Sequence, residues 1–251
     1  MGEALVSGLL AARWCAPGEV VVAEASAPRR AELAGRLDQV ATTAAPVAAD
    51  GAVIAVKPGD VAGACRAVAA AGAGRVLSIA AGVRLDALQR WLGPEVAVVR
   101  AMPNTPALVG AGASAIAGGA ASGPADLDWA ESVLASVGLV VRVAEAQLDA
   151  VTGLSGSGPA YVFLVAEALT EAGVLAGLGR EVSAALVHQT LLGAARLLVE
   201  TGQSPEALRA AVTSPGGTTA AGLAVLEDRA ARGAFLAAVQ AAAERSRQLG
   251  A

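Results

Sequence analysis

The sequence predicts an α/β domain built on a largely parallel sheet, followed by an all-helical domain. From residue 19 to about 145, short β-branched runs recur between stretches with helical spacing and Gly/Pro punctuation, an alternation that lays helices over a parallel sheet. After Asp149 no further β-branched run follows, and everything to Gly250 has helical spacing. The change of pattern divides the chain into a first domain over 1–146 and a second over 147–251.

The expected strands are Val20–Val22, Val53–Val56, Arg75–Ile79, Val96–Arg100, Ala113–Ala117 and Leu139–Val143, most of them continuous apolar runs suited to burial on both faces. Pro28 and Pro124 mark first helical turns, where a missing N–H costs nothing, and Gly138 is expected to close the helix through Trp129 and Val133. The second domain predicts helices at 159–176, 181–201, 205–212, 218–229 and 233–248. In the first of these only Glu167, Thr170 and Glu171 form a polar stripe on an otherwise apolar cylinder, the pattern of a helix buried nearly all round. A domain this small cannot cover that much apolar surface alone, so partner helices from a second subunit are expected.

Composition narrows the function. The chain has 251 residues, 55% hydrophobic but only 2% aromatic, so its core is built from Ala, Val and Leu. With a net charge of −4 and basic residues scattered singly, it has no positive stripe for nucleic acid. Cys15 and Cys65 form no CxxC pair, which suits a reducing compartment, and a single histidine, His188, argues against a zinc site; no metal is expected. Glu167 and Glu171 interrupt the most apolar segment, so no membrane span is expected, and the N-terminus has no charged-then-apolar signal. The expected location is the cytoplasm.

Four strings carry chemistry. Met1-Gly2 leads directly into Glu3-Ala4-Leu5-Val6, which has helical spacing, as does the helix after a G-x-G-x-x-G turn in a dinucleotide fold; an ordinary N-terminal helix accounts for the same residues. Gly110-Ala111-Gly112 and Gly156-Ser157-Gly158 mimic that fingerprint, but the first leads into a strand and the second follows none. Ala55-Val56-Lys57-Pro58 and Ser78-Ile79-Ala80-Ala81-Gly82 close successive strands at the carboxyl side, where ligands lie in open α/β sheets. Met102-Pro103-Asn104-Thr105-Pro106 is a rigid loop offering one amide, which suits a carboxamide or simply a turn. Ser214-Pro215-Gly216-Gly217-Thr218-Thr219 precedes a helix, and its glycines allow N–H groups to converge on an anion; a plain helix cap is the alternative. His188 and Tyr161 read as packed helix residues.

Together with Leu154-Ser155-Gly156-Ser157-Gly158-Pro159-Ala160-Tyr161, these strings resemble pyrroline-5-carboxylate reductases along almost the whole chain. The resemblance implies a Rossmann domain that binds NADPH or NADH and a helical domain that joins a second subunit into a homodimer, with a higher homo-oligomer as an option. It implies reduction of 1-pyrroline-5-carboxylate to L-proline, with the substrate held between domains of neighbouring subunits. It places cofactor contacts at Met1, Gly2, Ser26, Arg29, Val56, Lys57, Pro58, Ala80, Ala81, Gly82 and Asn104. Substrate contacts fall at Glu145, Ser214, Gly216, Gly217, Thr218 and Thr219, with Thr219 beside the ring nitrogen as the catalytic residue.

Glu24 suits a ribose 2′-hydroxyl and NADH, whereas Ser26, Arg29 and Arg30 suit a 2′-phosphate; the resemblance favours NADPH. It also implies a strand and a Gly-turn encoded upstream of Met1, and therefore weak NADPH binding by the 251-residue chain. Two rivals remain at this stage. A β-hydroxyacid dehydrogenase needs a lysine in the helical domain, and none follows Lys57. A non-enzymatic dimer that holds no cofactor is separable by NADPH fluorescence titration.

Overall fold

The computed structural model describes residues 1–250. The first part of the chain runs α1 (Gly2–Ala11), β1 (Val21–Ala23), α2 (Ala27–Arg36), β2 (Ala41–Thr43), β3 (Gly51–Ile54), α3 (Val61–Ala70), β4 (Arg75–Ser78), α4 (Leu85–Leu92), β5 (Ala97–Met102), β6 (Gly112–Gly118), α5 (Pro124–Ala135) and β7 (Gly138–Arg142). There follow α6 (Leu148–Val151), a π-helical turn at Thr152–Gly156, α7 (Gly158–Leu175), α8 (Arg180–Thr201), α9 (Pro205–Ala211), α10 (Thr218–Asp228) and α11 (Ala231–Leu249). The five C-terminal helices begin and end within two residues of where spacing puts them.

Two sheets form: β1 with β2 in parallel, and a five-stranded sheet in the order β3-β4-β5-β6-β7. Every pairing is parallel except β5 with β6. Alternate residues of the larger sheet point to opposite layers. On one face Val76, Val98, Ala115 and Ala117 pack under Val61, Cys65, Leu88 and Leu92 of α3 and α4. On the other, Leu77, Val99 and Ile116 meet Leu5 and Leu9 of α1 and Ala130, Val133 and Leu134 of α5. Helix α1 also reaches the small sheet, where Val6 and Leu10 pack with Leu33, Leu37 and Val40. It therefore ties the two sheets together.

Two readings change. The short strand β2 was not expected, because Ala41-Thr42-Thr43 has no apolar run. Helix α5 ends at Ala135, so Gly138 does not close it but opens β7 at φ +148°. There a β-carbon would run into the backbone of Gly112, which is why only glycine fits.

By packing, the chain forms two compact units. One compact unit is Met1–Ser157 together with the chain from Gln240 onward, and the other is Gly158–Val239. Helical spacing begins near 147, but Leu148 is fully buried in the core under α3 and α4, so the segment after it still belongs to the first unit.

The second unit has almost no core of its own: among residues 158–239 only Thr170 and Ser183 are buried. Phe163 is 62% exposed, Leu175 91% and Val199 83%. On length and composition alone, the helical stretch 145–175 and α8 are apolar enough to cross a membrane. An apolar surface of this extent marks an interaction site.

The constraint at β7 is testable. Gly138→Ala should lower unfolding stability by roughly 3 kcal/mol, read as a drop in urea midpoint, because the change combines backbone strain with a clash against Gly112. A variant with the parent's midpoint would remove Gly138 from the β6–β7 junction.

Candidate active site

Strands β3, β4 and β5 run in one direction, so the turns after them open on the same side of the sheet. Those turns are Ala55–Pro58, Ile79–Gly82 and Pro103–Asn104, and the N-terminus of α1 sits against the first of them. A β-carbon on Gly2 would lie 3.1 Å from the Ala55 β-carbon, so small residues on both sides bring helix and turn together. Met1 caps α1 without a side-chain hydrogen bond. The first backbone N–H to find an acceptor is that of Leu5, bonded to the Met1 carbonyl at 3.0 Å. The N–H groups of the first turn and the helix dipole thus offer a place for an anion. Val56, Lys57, Pro58 and Ala81 are exposed in these turns, Gly82 is half-buried and Ala80 is buried.

At the end of β1, Ser26 caps α2 and accepts from the Arg29 N–H at 3.5 Å. Glu24 Oε1 accepts from the Ser26 N–H at 2.8 Å, and Arg30 donates to the carbonyls of Glu24 and Ala25. Arg29, assigned to the cofactor by resemblance, forks between Glu3 at 2.7 Å and Glu32 at 2.6 Å, and Arg36 reaches Glu3 at 3.0 Å. The hydrogen bonds that Arg29 donates to Glu32 and Glu3 raise its pKa and lower that of Glu32. A 2′-phosphate at Arg29 has to displace these carboxylates.

Asn104 is buried, and its amide is already engaged. Its Nδ2 donates to the Ser155 carbonyl at 3.0 Å and its Oδ1 accepts from the Ala113 N–H at 2.8 Å. These two bonds fix the loop of Asn104 between β6 and the π-turn. Gly156 completes that junction, since a β-carbon there would come 2.5 Å from Met102 Cε. The π-turn is closed by the Ser157 N–H on the Thr152 carbonyl at 2.8 Å, an irregularity frequent at functional sites.

Glu145, read as a substrate-side residue, accepts from the Leu85 N–H at 2.7 Å and from Arg100 Nη1 at 3.0 Å through the same oxygen. It thereby caps α4 and neutralises an arginine whose side chain is only 8% exposed. The sequence signal for Arg100 was a lone charge at the end of an apolar strand. Burial pushes the Cys65 thiol up to about 11 and also raises Cys15, so neither favours the thiolate a nucleophile needs.

The string Ser214–Thr219 forms the open N-terminus of α10. Gly216 takes a left-handed φ of +65°, and the Gly217 N–H bonds the Ser214 carbonyl at 3.1 Å. Gly217 caps the helix with no side chain, leaving the N–H groups of Thr218 and Thr219 without a side-chain acceptor. Thr219 is half-buried, while Thr218 and Ser214 are exposed. In the same unit, His188 lines a hollow of about 380 Å³ between α7 and α8 with Glu167, Glu171 and Arg180.

The Arg100–Glu145 pair can be weighed by mutation. Arg100→Met should destabilise the fold by about 3 kcal/mol, the low end for breaking a buried pair because Glu145 keeps a quarter of its surface in water. Adding Glu145→Gln should recover part of the loss in thermal denaturation; equal stability of Arg100→Met and the parent would dissolve the pair as a structural element.

Comparison with known proteins agrees with this architecture. Residues 145–249 match the family described as pyrroline-5-carboxylate reductase dimerisation, and residues 1–82 match that described as NADP oxidoreductase, coenzyme F420-dependent. A pyrroline-5-carboxylate reductase of Synechocystis sp. is 46% identical over 256 residues, covering 100% of this chain and 95% of the relative. One of Mycobacterium tuberculosis is 44% identical over 277 residues, covering 99% and 93%. The structure of the Coxiella burnetii enzyme superposes with a TM-score of 0.94 at 38% identity, covering 100% of this chain and 95% of that one. That of the Plasmodium falciparum pyrroline carboxylate reductase with NADP bound gives 0.86 at 30% identity, with the same coverage. On sequence and fold together, the chain belongs to the pyrroline-5-carboxylate reductase family.

Proposed function

We propose that this chain reduces 1-pyrroline-5-carboxylate to L-proline with NADPH or NADH, the last step of proline biosynthesis. The observation that carries it is 46% identity to a named reductase across the whole chain, with the uncapped Ser214–Thr219 turn intact. The nicotinamide cofactor, when bound, supplies the hydride. The N–H groups at the start of α1, with Met1 and Gly2, suit its pyrophosphate. The turns at Val56-Lys57-Pro58 and Ala80-Ala81-Gly82 suit a flat ring close to the backbone, with Asn104 holding the third turn in place.

NADPH is placed ahead of NADH. A relative is described with NADP bound. Ser26 and Arg29 stand together at the start of α2, while the Glu24 carboxylate is engaged by the Ser26 N–H. The substrate carboxylate is assigned to Ser214, Gly216, Gly217, Thr218 and Thr219, with Glu145 supporting the substrate side through Arg100 and α4. Thr219 is the residue assigned to the ring nitrogen. A protonated cyclic imine is already an electrophile, so the protein's task is orientation rather than strong acid catalysis.

The scarcity of buried residues in Gly158–Val239 supports a homodimer through the region from 147 onward, with a higher oligomer as an extension. A soluble cytoplasmic enzyme fits relatives that carry out amino-acid biosynthesis. Purified protein mixed with 1-pyrroline-5-carboxylate should oxidise NADPH faster than NADH and should act on proline in reverse but not on a 3-hydroxy acid. No nicotinamide oxidation with the imine would overturn the proposal.

Two substitutions refine it. Thr219→Val should cut turnover roughly ten- to a hundredfold, for a lost hydrogen bond of about 1–3 kcal/mol, with NADPH affinity nearly unchanged. Unchanged turnover removes Thr219 from the mechanism. Gly216→Val forces a β-branched residue into a left-handed φ of +65° and should abolish imine reduction while circular dichroism shows the fold intact. Parental affinity for the imine would exclude the carboxylate nest.

A further inference from the structure

We propose that the last turns of α11 act as a strut that positions the Ala80–Gly82 turn for the cofactor, with Ser246 and Asp149 as the positioning residues that lock it in place. This rests on the cofactor assignment just given. From Gln240 onward α11 belongs to the compact unit that contains the sheet. There Ala243 is 7% and Ser246 6% exposed. Ser246 Oγ donates to Asp149 Oδ1 at 2.6 Å, a short hydroxyl–carboxylate hydrogen bond. Asp149 is itself anchored, because it follows the fully buried Leu148 on α6.

One turn further on, the chain meets the cofactor-side turn directly. A β-carbon on Gly250 would lie 3.1 Å from the Gly82 carbonyl oxygen, and one on Gly82 would lie 3.7 Å from the Leu249 carbonyl oxygen. The Gly250 N–H bonds back to the Ser246 and Arg247 carbonyls at 3.2 Å, so the contact is held by the same turn that Ser246 fixes. At its far end the loop is fixed by Glu145 on the Leu85 N–H. Its middle leans on α11. A hollow of about 320 Å³, lined by Gly82, Arg84, Trp91 and Leu249 among others, lies beside this contact. Released from Ser246, the turn has room to move, and Ala81 at its tip moves with it.

The test uses the full chain and two variants. Ser246→Ala removes the donor, and Asp149→Asn keeps an acceptor at the same place. Amide hydrogen exchange without ligand should quicken about five- to tenfold at residues 79–85 in Ser246→Ala, the loss expected for one hydrogen bond, while β6 stays unchanged. NADPH Kd by fluorescence titration should rise by a similar factor, with the KM for the imine unaltered, and Asp149→Asn should stay within about twofold of the parent on both measures. Parental exchange at 79–85, equal quickening in β6, or an unchanged NADPH Kd each overturn the strut. A parent chain that binds no nicotinamide cofactor overturns the functional proposal, and exchange at 79–85 then decides the strut alone.

Discussion

The arrangement of this molecule's site depends on one short stretch, residues 145–157, and on the polar bonds it makes in several directions. Glu145 holds Arg100 on β5 and the first N–H of α4 with a single carboxylate oxygen. Leu148 is sunk in the core under α3 and α4. Asp149 takes the hydroxyl of Ser246, and the Ser155 carbonyl takes the amide of Asn104. Two of the three turns on the carboxyl side of the sheet, and the last helix, are therefore referred to one segment. A shift in that segment displaces the turns together rather than loosening each alone, because hydrogen-bonded, close-packed groups have few intermediate arrangements.

Why the segment can be so short follows from composition. With 2% aromatics and a core of Ala, Val and Leu, helices and turns approach closely, and the points of closest approach are glycines. Gly156 meets Met102, Gly2 meets Ala55 and Gly82 meets Gly250. Such contacts give shape without adhesion, so a few polar bonds have to set the positions. The second unit shows the opposite condition. Its helices are strongly apolar yet leave most side chains exposed and nearly all the rest only half-buried in a single chain, and burying such apolar side chains is worth about 1.5–3 kcal/mol each. An apolar surface of that extent suits packing against other helices, in keeping with the dimerisation family that residues 145–249 match.

Much of this was legible in the sequence. Apolar runs gave six of the seven strands, of which β4, β5 and β6 are buried nearly throughout, and Pro28 and Pro124 marked helix starts, whereas Gly138 opens a strand. Ala41–Thr43 escaped because a three-residue strand in a half-exposed pair needs no apolar run. The strings at the strand ends were recognisable as turns, but what their side chains touch was not. Asn104 looked like a group facing a ligand because it stands alone between prolines. Its partners, Ala113 and Ser155, are 9 and 51 residues away, and no local pattern connects them. Arg29 is likewise held by Glu3, 26 residues earlier, a contact that no local pattern shows.

These long-range contacts bear on mechanism. Hydride transfer to a protonated imine requires geometry more than proton transfer, so a site for it can be built with few reactive side chains. Several ionisable and amide groups of the first unit are engaged in placing backbone: Glu145 at Leu85, Arg30 at Glu24 and Ala25, Asn104 at Ala113 and Ser155. Backbone so placed presents N–H groups, carbonyls and small side chains to whatever binds. In a site of this kind a conspicuous polar residue indicates where the backbone is being held, and the surface proposed to meet the ligand consists of the residues with the least to show, Gly2, Ala81 and Gly82 among them.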